Sequence, residues 1–326
     1  MNILYLFSIT IACGIFGNII SNANPLPYEA IFNFGDSTSD TGNAAFDHPP
    51  MDKNSPYGST YFKHPAGRLS NGRLIIDFIA EAYGLPFLPP YKNITQSQED
   101  IKRGVNFAYA GATALEFKYF DRSGVRPPAT ENSLNVQFEL REIVPLIVES
   151  ITNTTLALLE EGAVELVVPG NFPIGCNAGL LSMVNSKKKE DYDEFGCLIS
   201  YNTFTEYFNE QLKNSIETLK QKHHQAKIIY FDYYNDAKRL YQAPQQYGFT
   251  SDKVEVLKAC CGGGGPYNIN EKFCGMPGTT VCFDPSKQIN WDGAHFTEAS
   301  HKQIAKGLVE GPFANPSLKS APFKIA

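Results

Sequence analysis

Short apolar runs alternate with longer amphipathic stretches along this chain. The apolar runs that predict strands are residues 31–34, 104–108, 165–168 and 227–231. The stretches whose apolar residues recur at helical spacing are residues 74–83, 139–159, 201–222 and 297–309. Pro145 must lie in the first turn of its helix or kink it. This alternation predicts an α/β fold with a mostly parallel sheet and helices on both faces.

Small polar residues follow the first apolar run, which reads as a buried strand ending before Gly35. Such a strand–turn–helix junction holds a side chain at the carboxyl edge of a parallel sheet, and Ser37 is the candidate. A serine hydroxyl needs a partner base. Asp292 and His295 offer it, because Asp-x-x-His in one loop can orient one imidazole nitrogen while the other faces Ser37. Gly111, after the second strand, either presents its N–H to an oxyanion or serves a tight turn.

Composition narrows the class of protein. The chain has 326 residues, of which 43% are hydrophobic, enough for a substantial core. The net charge is -6, and without a basic patch the sequence argues against nucleic acid as a partner. We find no linker or repeat, so we expect residues 24–326 to form one domain, monomeric and without a cofactor or metal.

The N-terminus has the pattern of a secretory signal peptide. Residues 3–16 are apolar and too few to span a bilayer comfortably, and small residues before and at Ala23 fit cleavage there, so residues 1–23 are assigned to the signal. The alternative is a buried N-terminal element. No later segment reads as long enough to cross a membrane. Sequons at Asn93 and Asn153 are glycosylation candidates in a secreted chain.

Cysteine usage fits the same compartment. Cys13 leaves with the signal, and the six that remain are Cys176, Cys197, Cys260, Cys261, Cys274 and Cys282. An even set in a secreted chain predicts three disulfides, and six cysteines allow 15 pairings. We expect a local Cys176–Cys197 bridge, with the other four tying the C-terminal loop together. A metal site is disfavoured because no Cys-x-x-Cys pair is present.

Five motifs in order resemble the plant GDSL esterase/lipases, which belong to the SGNH hydrolases: FGDSTSDTGN, NFAYAGAT, VPGNFPIGC, ACCGGGGPYN and NWDGAHFTEA. The resemblance implies a three-layer αβα fold and a secreted enzyme of the apoplast or cell wall. It implies that Ser37 is the nucleophile and an oxyanion donor, that Gly111 is a second donor, and that Asp292 orients the base His295. The implied substrates are acyl esters of small metabolites, lipids or polysaccharides.

The chain departs from this family at one place. The family carries a Gly-x-Asn-Asp motif at the end of a central strand, and its Asn supplies a third oxyanion hydrogen bond. Here residues 132–138 run directly into residues 139–145, and the block between them is absent. The implied sheet therefore lacks one central strand, and its neighbours either re-pair or leave the fold damaged. A truncated gene product or a mis-spliced transcript of an ordinary esterase is our hypothesis.

Two other functions remain open at this stage. A catalytically impaired or inactive binding protein would keep the pocket and lose the chemistry, and the absent block is its only support. A metal-dependent hydrolase would use Asp36, Asp40, Asp292 and His295, and insensitivity to chelators would exclude it.

Overall fold

A computed structural model describes residues 28–48, 55–94, 102–115, 134–314 and 318, with the backbone alone described for residues 134–142. The proposed signal peptide and its cleavage site lie outside these residues, as does Thr95 of the first sequon. The strands are β1 Ile31–Asn33, β2 Gly104–Asn106, β3 Glu165–Pro169, β4 Lys227–Phe231, β5 Cys261–Gly262 and β6 Thr280–Val281. The α-helices are α1 Asn43–Asp47, α2 Ile75–Ala82, α3 Leu134–Glu160, α4 Ala178–Val184, α5 Ile199–Lys222, α6 Tyr233–Gln242 and α7 Glu298–Glu310.

The four predicted strands form two parallel pairs. β1 pairs with β2, with Ile31 opposite Gly104, and β3 pairs with β4, with Glu165 opposite Lys227. A small antiparallel pair, β5 with β6, lies in the C-terminal loop region. Strands that pair in parallel and alternate with helices confirm the α/β class. Within the described residues the two pairs do not hydrogen-bond to each other as one sheet.

The prediction that the first apolar run is a buried strand was wrong. Phe32 is 54% exposed and Phe34 is 52% exposed. From sequence alone, an apolar run predicts a buried strand. A strand is buried only where neighbouring strands flank it and a layer of helices covers the sheet. Among the described residues β1 pairs with a strand on one edge only, and the ring of Phe34, just beyond its end, stacks on Phe107 and is otherwise open to solvent.

Helix α3 joins the two flanks of the absent block into one continuous element. It begins at Leu134, five residues before the predicted start, so Pro145 lies well inside the helix and not in its first turn. Val144 and Val148 are buried and pack in a cluster with Leu212 and Ile216 of α5. Proline removes one backbone donor within the helix, and the packing of this face on α5 offsets that loss.

The expectation that no later segment could cross a membrane needs correction. Residues Ile143–Glu160 of α3 are long and apolar enough to do so by length and composition, with a mean hydropathy of 1.3. A core helix passes the same test, and this one contributes Val144 and Val148 to a buried cluster. Only 22% of this stretch is buried, so α3 packs against the core along one face.

Three disulfides stabilise the C-terminal half. Cys176–Cys197 forms as predicted, and the remaining cysteines pair as Cys260–Cys282 and Cys261–Cys274. The last two bridges join cysteines that are 22 and 13 residues apart in sequence, in a region with little regular structure. Cross-links of this kind stabilise a loop mainly by restricting its unfolded ensemble.

His301 of α7 is fully buried, and neither of its ring nitrogens has a hydrogen-bond partner within the described part of the chain. Burial lowers the pKa of its imidazole to about 3. The unfolded chain takes up that proton near the ordinary pKa of 6.5, so the free energy of unfolding falls as the pH drops below that value. We expect a loss of about 2 kcal/mol between pH 7 and pH 5, measured by urea unfolding.

A His301→Phe variant should lose much of this dependence on pH, whereas the exposed His224→Phe variant should keep it. Equal pH dependence of unfolding in both variants would contradict the assignment to His301.

Candidate active site

The turn after β1 presents the Ser37 hydroxyl. The backbone N–H of Ser39 donates to the carbonyl of Asp36 at 3.2 Å, and the N–H of Thr38 donates to the Asp36 carboxylate at 2.9 Å. These bonds close a tight turn directly beyond the strand end. The carboxyl ends of parallel strands are where active groups collect in α/β folds.

Ser37, His295 and Asp292 lie in a hydrogen-bonded row, although 258 residues separate the serine from the histidine. Nε2 of His295 is 2.9 Å from Oγ of Ser37. Nδ1 of His295 is 2.9 Å from Oδ2 and 3.0 Å from Oδ1 of Asp292. The loop is shaped by Asp292 itself, whose Oδ1 accepts the backbone N–H groups of Ala294 at 2.7 Å and His295 at 2.8 Å.

Tyr57 is a site residue that the sequence did not reveal. Its hydroxyl donates to Oδ2 of Asp292 at 2.7 Å, and its ring meets the Trp291 ring edge-on at 6.0 Å between centroids. Tyr57 is 235 residues from its partner in sequence, within a polar loop that carries no periodic signal. The Tyr57 hydroxyl and the imidazole of His295 therefore both bond to Oδ2 of this carboxylate.

The surroundings of Asp292 and His295 shift the pKa values of these two groups in opposite directions. Burial acts to raise the pKa of Asp292, but the facing His295, the Ala294 N–H and the Tyr57 hydroxyl outweigh it and hold that pKa below its ordinary value. Burial acts to lower the pKa of His295, but the Asp292 carboxylate outweighs it and raises that pKa. The geometry therefore favours an ionised carboxylate beside an imidazole that readily accepts a proton.

The disulfide region supports the loop that carries Asp292 and His295. The N–H of Cys260 donates to the carbonyl of Asn290 at 2.9 Å, and the N–H of Cys261 donates to that of Trp291 at 2.7 Å. The N–H of Trp291 in turn donates to the carbonyl of His295 at 2.8 Å. The bridged cysteines thus hold the start of this loop, and Trp291 links that start to His295.

A buried polar network joins the serine turn to the loop after β2. Both carboxylate oxygens of Asp40, which is 1% exposed, accept backbone N–H groups: Oδ1 those of Gly42 and Asn43 at 2.7 Å, and Oδ2 those of Ala44 at 3.0 Å and Ala110 at 2.9 Å. Because one carboxylate holds both the Ser37 segment and the residue before Gly111, it fixes the separation of these two loops.

Asn106 extends this network across the sheet edge. Its amide donates to the carbonyl of Ser39 at 2.7 Å and to Oγ1 of Thr41 at 2.9 Å, and its carbonyl oxygen accepts from Asn33 at 2.9 Å. The serine turn is therefore bonded to β2 independently of Asp40.

Replacing Asp40 by asparagine should lower kcat for an ester substrate about 10- to 100-fold with little change in KM. The amide keeps the shape but can accept at one oxygen only, and hydrogen bonds to a charged group are worth about 1.5–3 kcal/mol each. Asp252→Asn, at an exposed aspartate whose carboxylate likewise accepts backbone N–H groups, is the matched control and should keep wild-type kcat. A large rise in KM with unchanged kcat in the Asp40 variant would contradict this role.

The two predicted oxyanion donors are free to act. Within the described part of the chain the backbone N–H groups of Ser37 and Gly111 donate to no protein acceptor. Gly111 is exposed, has φ +86°, and has open space where a Cβ would stand. A positive φ favours glycine at this position. The free N–H of Gly111 therefore lies in the same loop that Asp40 restrains through Ala110.

The hypothetical metal site finds little support in this geometry. Both carboxylate oxygens of Asp40 accept backbone N–H groups, four in all. Asp292 is bonded to His295, Tyr57 and its own loop. Among the described residues no group of three or more His, Cys, Asp or Glu is arranged to hold an ion.

Fold and site together define an α/β protein whose candidate nucleophile stands beyond a parallel strand and faces an imidazole–carboxylate pair. A sequence profile of the GDSL-like Lipase/Acylhydrolase family matches residues 31–308. The chain belongs to this family and is, by that membership, a carboxylic ester hydrolase.

Curated plant proteins extend the match. The chain is 41% identical to a GDSL esterase/lipase of Arabidopsis thaliana over 90% of this chain and 93% of that protein. It is 39% identical to a sinapine esterase of Brassica napus over 89% of this chain and 87% of that protein. The first alignment runs over 349 positions, whereas 90% of 326 residues is about 293, so about 55 positions of that relative have no counterpart here.

Proposed function

We propose that this chain is a secreted serine esterase that uses Ser37, His295 and Asp292 as its catalytic triad. The observation that carries the proposal is the row of hydrogen bonds from Oγ of Ser37 through the imidazole to the carboxylate, at 2.9 Å on each side. Family membership supplies the reaction class, and the geometry supports the assignment of roles.

In the proposed mechanism Nε2 of His295 takes the hydroxyl proton as Oγ of Ser37 attacks the ester carbonyl. The backbone N–H groups of Ser37 and Gly111 stabilise the negative oxygen of the tetrahedral intermediate. His295 then gives the proton to the leaving alcohol, and an acyl-serine remains. Water, deprotonated by His295, attacks the acyl group and regenerates Ser37 with release of the carboxylic acid. Asp292 keeps the imidazole oriented and stabilises its cationic form throughout.

The substrate class follows from the relatives and the compartment. We infer acyl esters of small plant metabolites or lipids, on the support of a relative named for sinapine ester hydrolysis. Three disulfides support an oxidising, extracellular location such as the apoplast or cell wall. Asn153 lies exposed on α3, which leaves it accessible to glycosylation, and Asn93 lies in a surface turn.

The pH dependence of kcat/KM should report the protonation of the proposed general base, His295. Because the Asp292 carboxylate raises the pKa of His295, a larger fraction of the imidazole is protonated at any given pH, and the protonated form cannot accept the Ser37 proton. We expect kcat/KM to fall as the pH drops, along a limb with an apparent pKa above 6.5. A limb centred clearly below that value in the wild-type enzyme would contradict the assignment.

A fluorophosphonate that reacts with activated serines tests the proposal. We expect stoichiometric labelling, with the added mass on the peptide that contains Ser37. Thr38→Ala, which keeps the hydroxyl under test, should label at a rate close to that of the wild type. Ester binding without labelling would favour the binding-protein alternative, and labelling on another serine would contradict the proposed nucleophile.

A further inference from the structure

The two carboxylate oxygens of Asp292 are held in different ways. Oδ1 accepts the backbone N–H groups of Ala294 and His295, which lie two and three residues further along the same loop. Within the described part of the chain, the partners of Oδ2 are the imidazole of His295 at 2.9 Å and the hydroxyl of Tyr57 at 2.7 Å. The loop itself therefore fixes one oxygen, and a residue 235 positions away fixes the other.

The ring of Tyr57 is packed in a position that aims its hydroxyl at Asp292. It lies in a cluster with two bridged cysteines and with Trp291, which is fully buried. The backbone next to the ring is also held, because the N–H of Gly58 donates to the carbonyl of Ser70 at 2.9 Å. A donor held by packing loses little conformational entropy when it bonds, so this hydroxyl is organised before substrate arrives.

The segment of residues 57–73 also bonds to the chain just beyond the catalytic loop. The hydroxyl of Ser70 donates to the carbonyl of Phe296 at 3.0 Å, and Oδ1 of Asn71 accepts the N–H of Glu298 at 2.8 Å. One segment therefore holds the loop at its aspartate and again one residue after its histidine. Between these two points the only free choice left to the carboxylate is rotation about its own bond, which the hydroxyl bond to Oδ2 opposes.

The charges around His295 give the Tyr57 hydroxyl a measurable effect. Burial and the facing Asp292 carboxylate raise the pKa of Tyr57, so the hydroxyl stays protonated and remains a donor. A donor spreads the negative charge of a carboxylate, and without it the carboxylate attracts a protonated imidazole more strongly. The other titratable groups described near His295 are Asp36, whose charge also raises the pKa of the imidazole, and the buried His301.

We propose that Tyr57 is a positioning residue of the esterase reaction, whose hydroxyl sets the plane of the Asp292 carboxylate and thereby the orientation and basicity of His295. The inference rests on the triad proposed above. The hydroxyl acts through Asp292 alone, so it should affect turnover and the protonation of the base and leave substrate binding unchanged.

The first test is Tyr57→Phe, which removes the hydroxyl and keeps the ring. We expect kcat to fall about 10- to 100-fold, as for loss of one hydrogen bond to a charged group, with an unchanged KM. The acid limb of kcat/KM should move to higher pH, because the carboxylate then raises the pKa of His295 further. Tyr234→Phe is the matched control: its hydroxyl donates to the carboxylate of Glu206 on α5 at 2.6 Å, and its loss should leave kcat and the acid limb unchanged.

The second test replaces Tyr57 by a tyrosine fluorinated beside the hydroxyl, introduced at this codon alone. Fluorine makes the phenol a stronger donor and keeps the ring, the hydroxyl and the packing. The acid limb should then move to lower pH, opposite to the shift in the Phe variant. If the Phe variant does not fold, the fluorinated enzyme decides alone. An acid limb that coincides with that of the wild type in every folded variant overturns the proposal, as does a raised KM with unchanged kcat.

Labelling by the fluorophosphonate separates failure of this inference from failure of the triad. The rate of labelling at Ser37 has its own acid limb, and it does not depend on the choice of ester. A wild-type enzyme that labels at Ser37, with a limb that neither change at Tyr57 moves, overturns the role of Tyr57 and leaves the triad standing. A wild-type enzyme that does not label at Ser37 overturns both.

Discussion

Replacing Ser37 by alanine should lower kcat for p-nitrophenyl ester hydrolysis on the order of 10⁶-fold, because removal of a triad nucleophile leaves only binding and oxyanion stabilisation. Among the residues that the structure describes, the Ser37 hydroxyl bonds only to His295, so its loss should leave folding unchanged. Steady-state kinetics with thermal unfolding in parallel separates the two effects.

Ser286→Ala is the matched control for this variant. Ser286 is exposed, and within the described part of the chain its hydroxyl bonds only to Asp284, two residues earlier. We expect wild-type turnover from it. Turnover by the Ser37 variant within tenfold of the wild type would show that another group performs the attack.

Asp292→Asn should lower kcat roughly 10⁴-fold, because the amide cannot hold the imidazole in the tautomer that accepts the Ser37 proton. The same change removes the charge that raises the pKa of His295, so any residual activity should show its acid limb at lower pH. Both effects are measured from the pH dependence of kcat/KM.

Asp284→Asn controls for the loss of an aspartate that shapes a turn. Oδ1 of Asp284 accepts the N–H of Ser286 at 3.0 Å, as Oδ1 of Asp292 accepts that of Ala294, but away from the site. It should retain wild-type kinetics. An unchanged acid limb in the Asp292 variant would contradict the electrostatic role of this carboxylate.

Local pattern predicts the strands and long helices of this fold well. β4 begins and ends at the residues predicted for it, Lys227 and Phe231, and α7 begins after Thr297, whose hydroxyl accepts the N–H of Ser300. Such elements are specified by residues within a few positions of one another. The same holds for the Asp292–His295 pair, which one short loop brings together.

The elements that sequence missed are short or depend on distant residues. Helices α4 and α6 have only 7 and 10 residues and follow side-chain caps, Asn177 and Asp232, which are also common in loops. Tyr57 meets Asp292 only through the tertiary fold. The exposure of Phe32 depends on which elements cover β1 in the tertiary fold, and no local pattern reports that.

The absent block bears on catalysis as well as on the sheet. An oxyanion donor is typically worth about 2.7–4 kcal/mol of transition-state stabilisation, so this chain should be a slower esterase than relatives that carry a third donor. Our hypothesis that the block was lost by truncation or mis-splicing predicts a longer message beside this one. Transcript sequencing that finds an intact frame without an additional exon would count against mis-splicing.

The most direct test of the account is the pre-steady-state release of p-nitrophenol on mixing enzyme with an activated ester. We predict a burst of about one equivalent per Ser37, with the acyl group recovered by mass spectrometry on the peptide that carries this residue. Steady turnover without a burst, and with no acylated Ser37 in samples quenched during that turnover, would contradict a covalent mechanism at this serine.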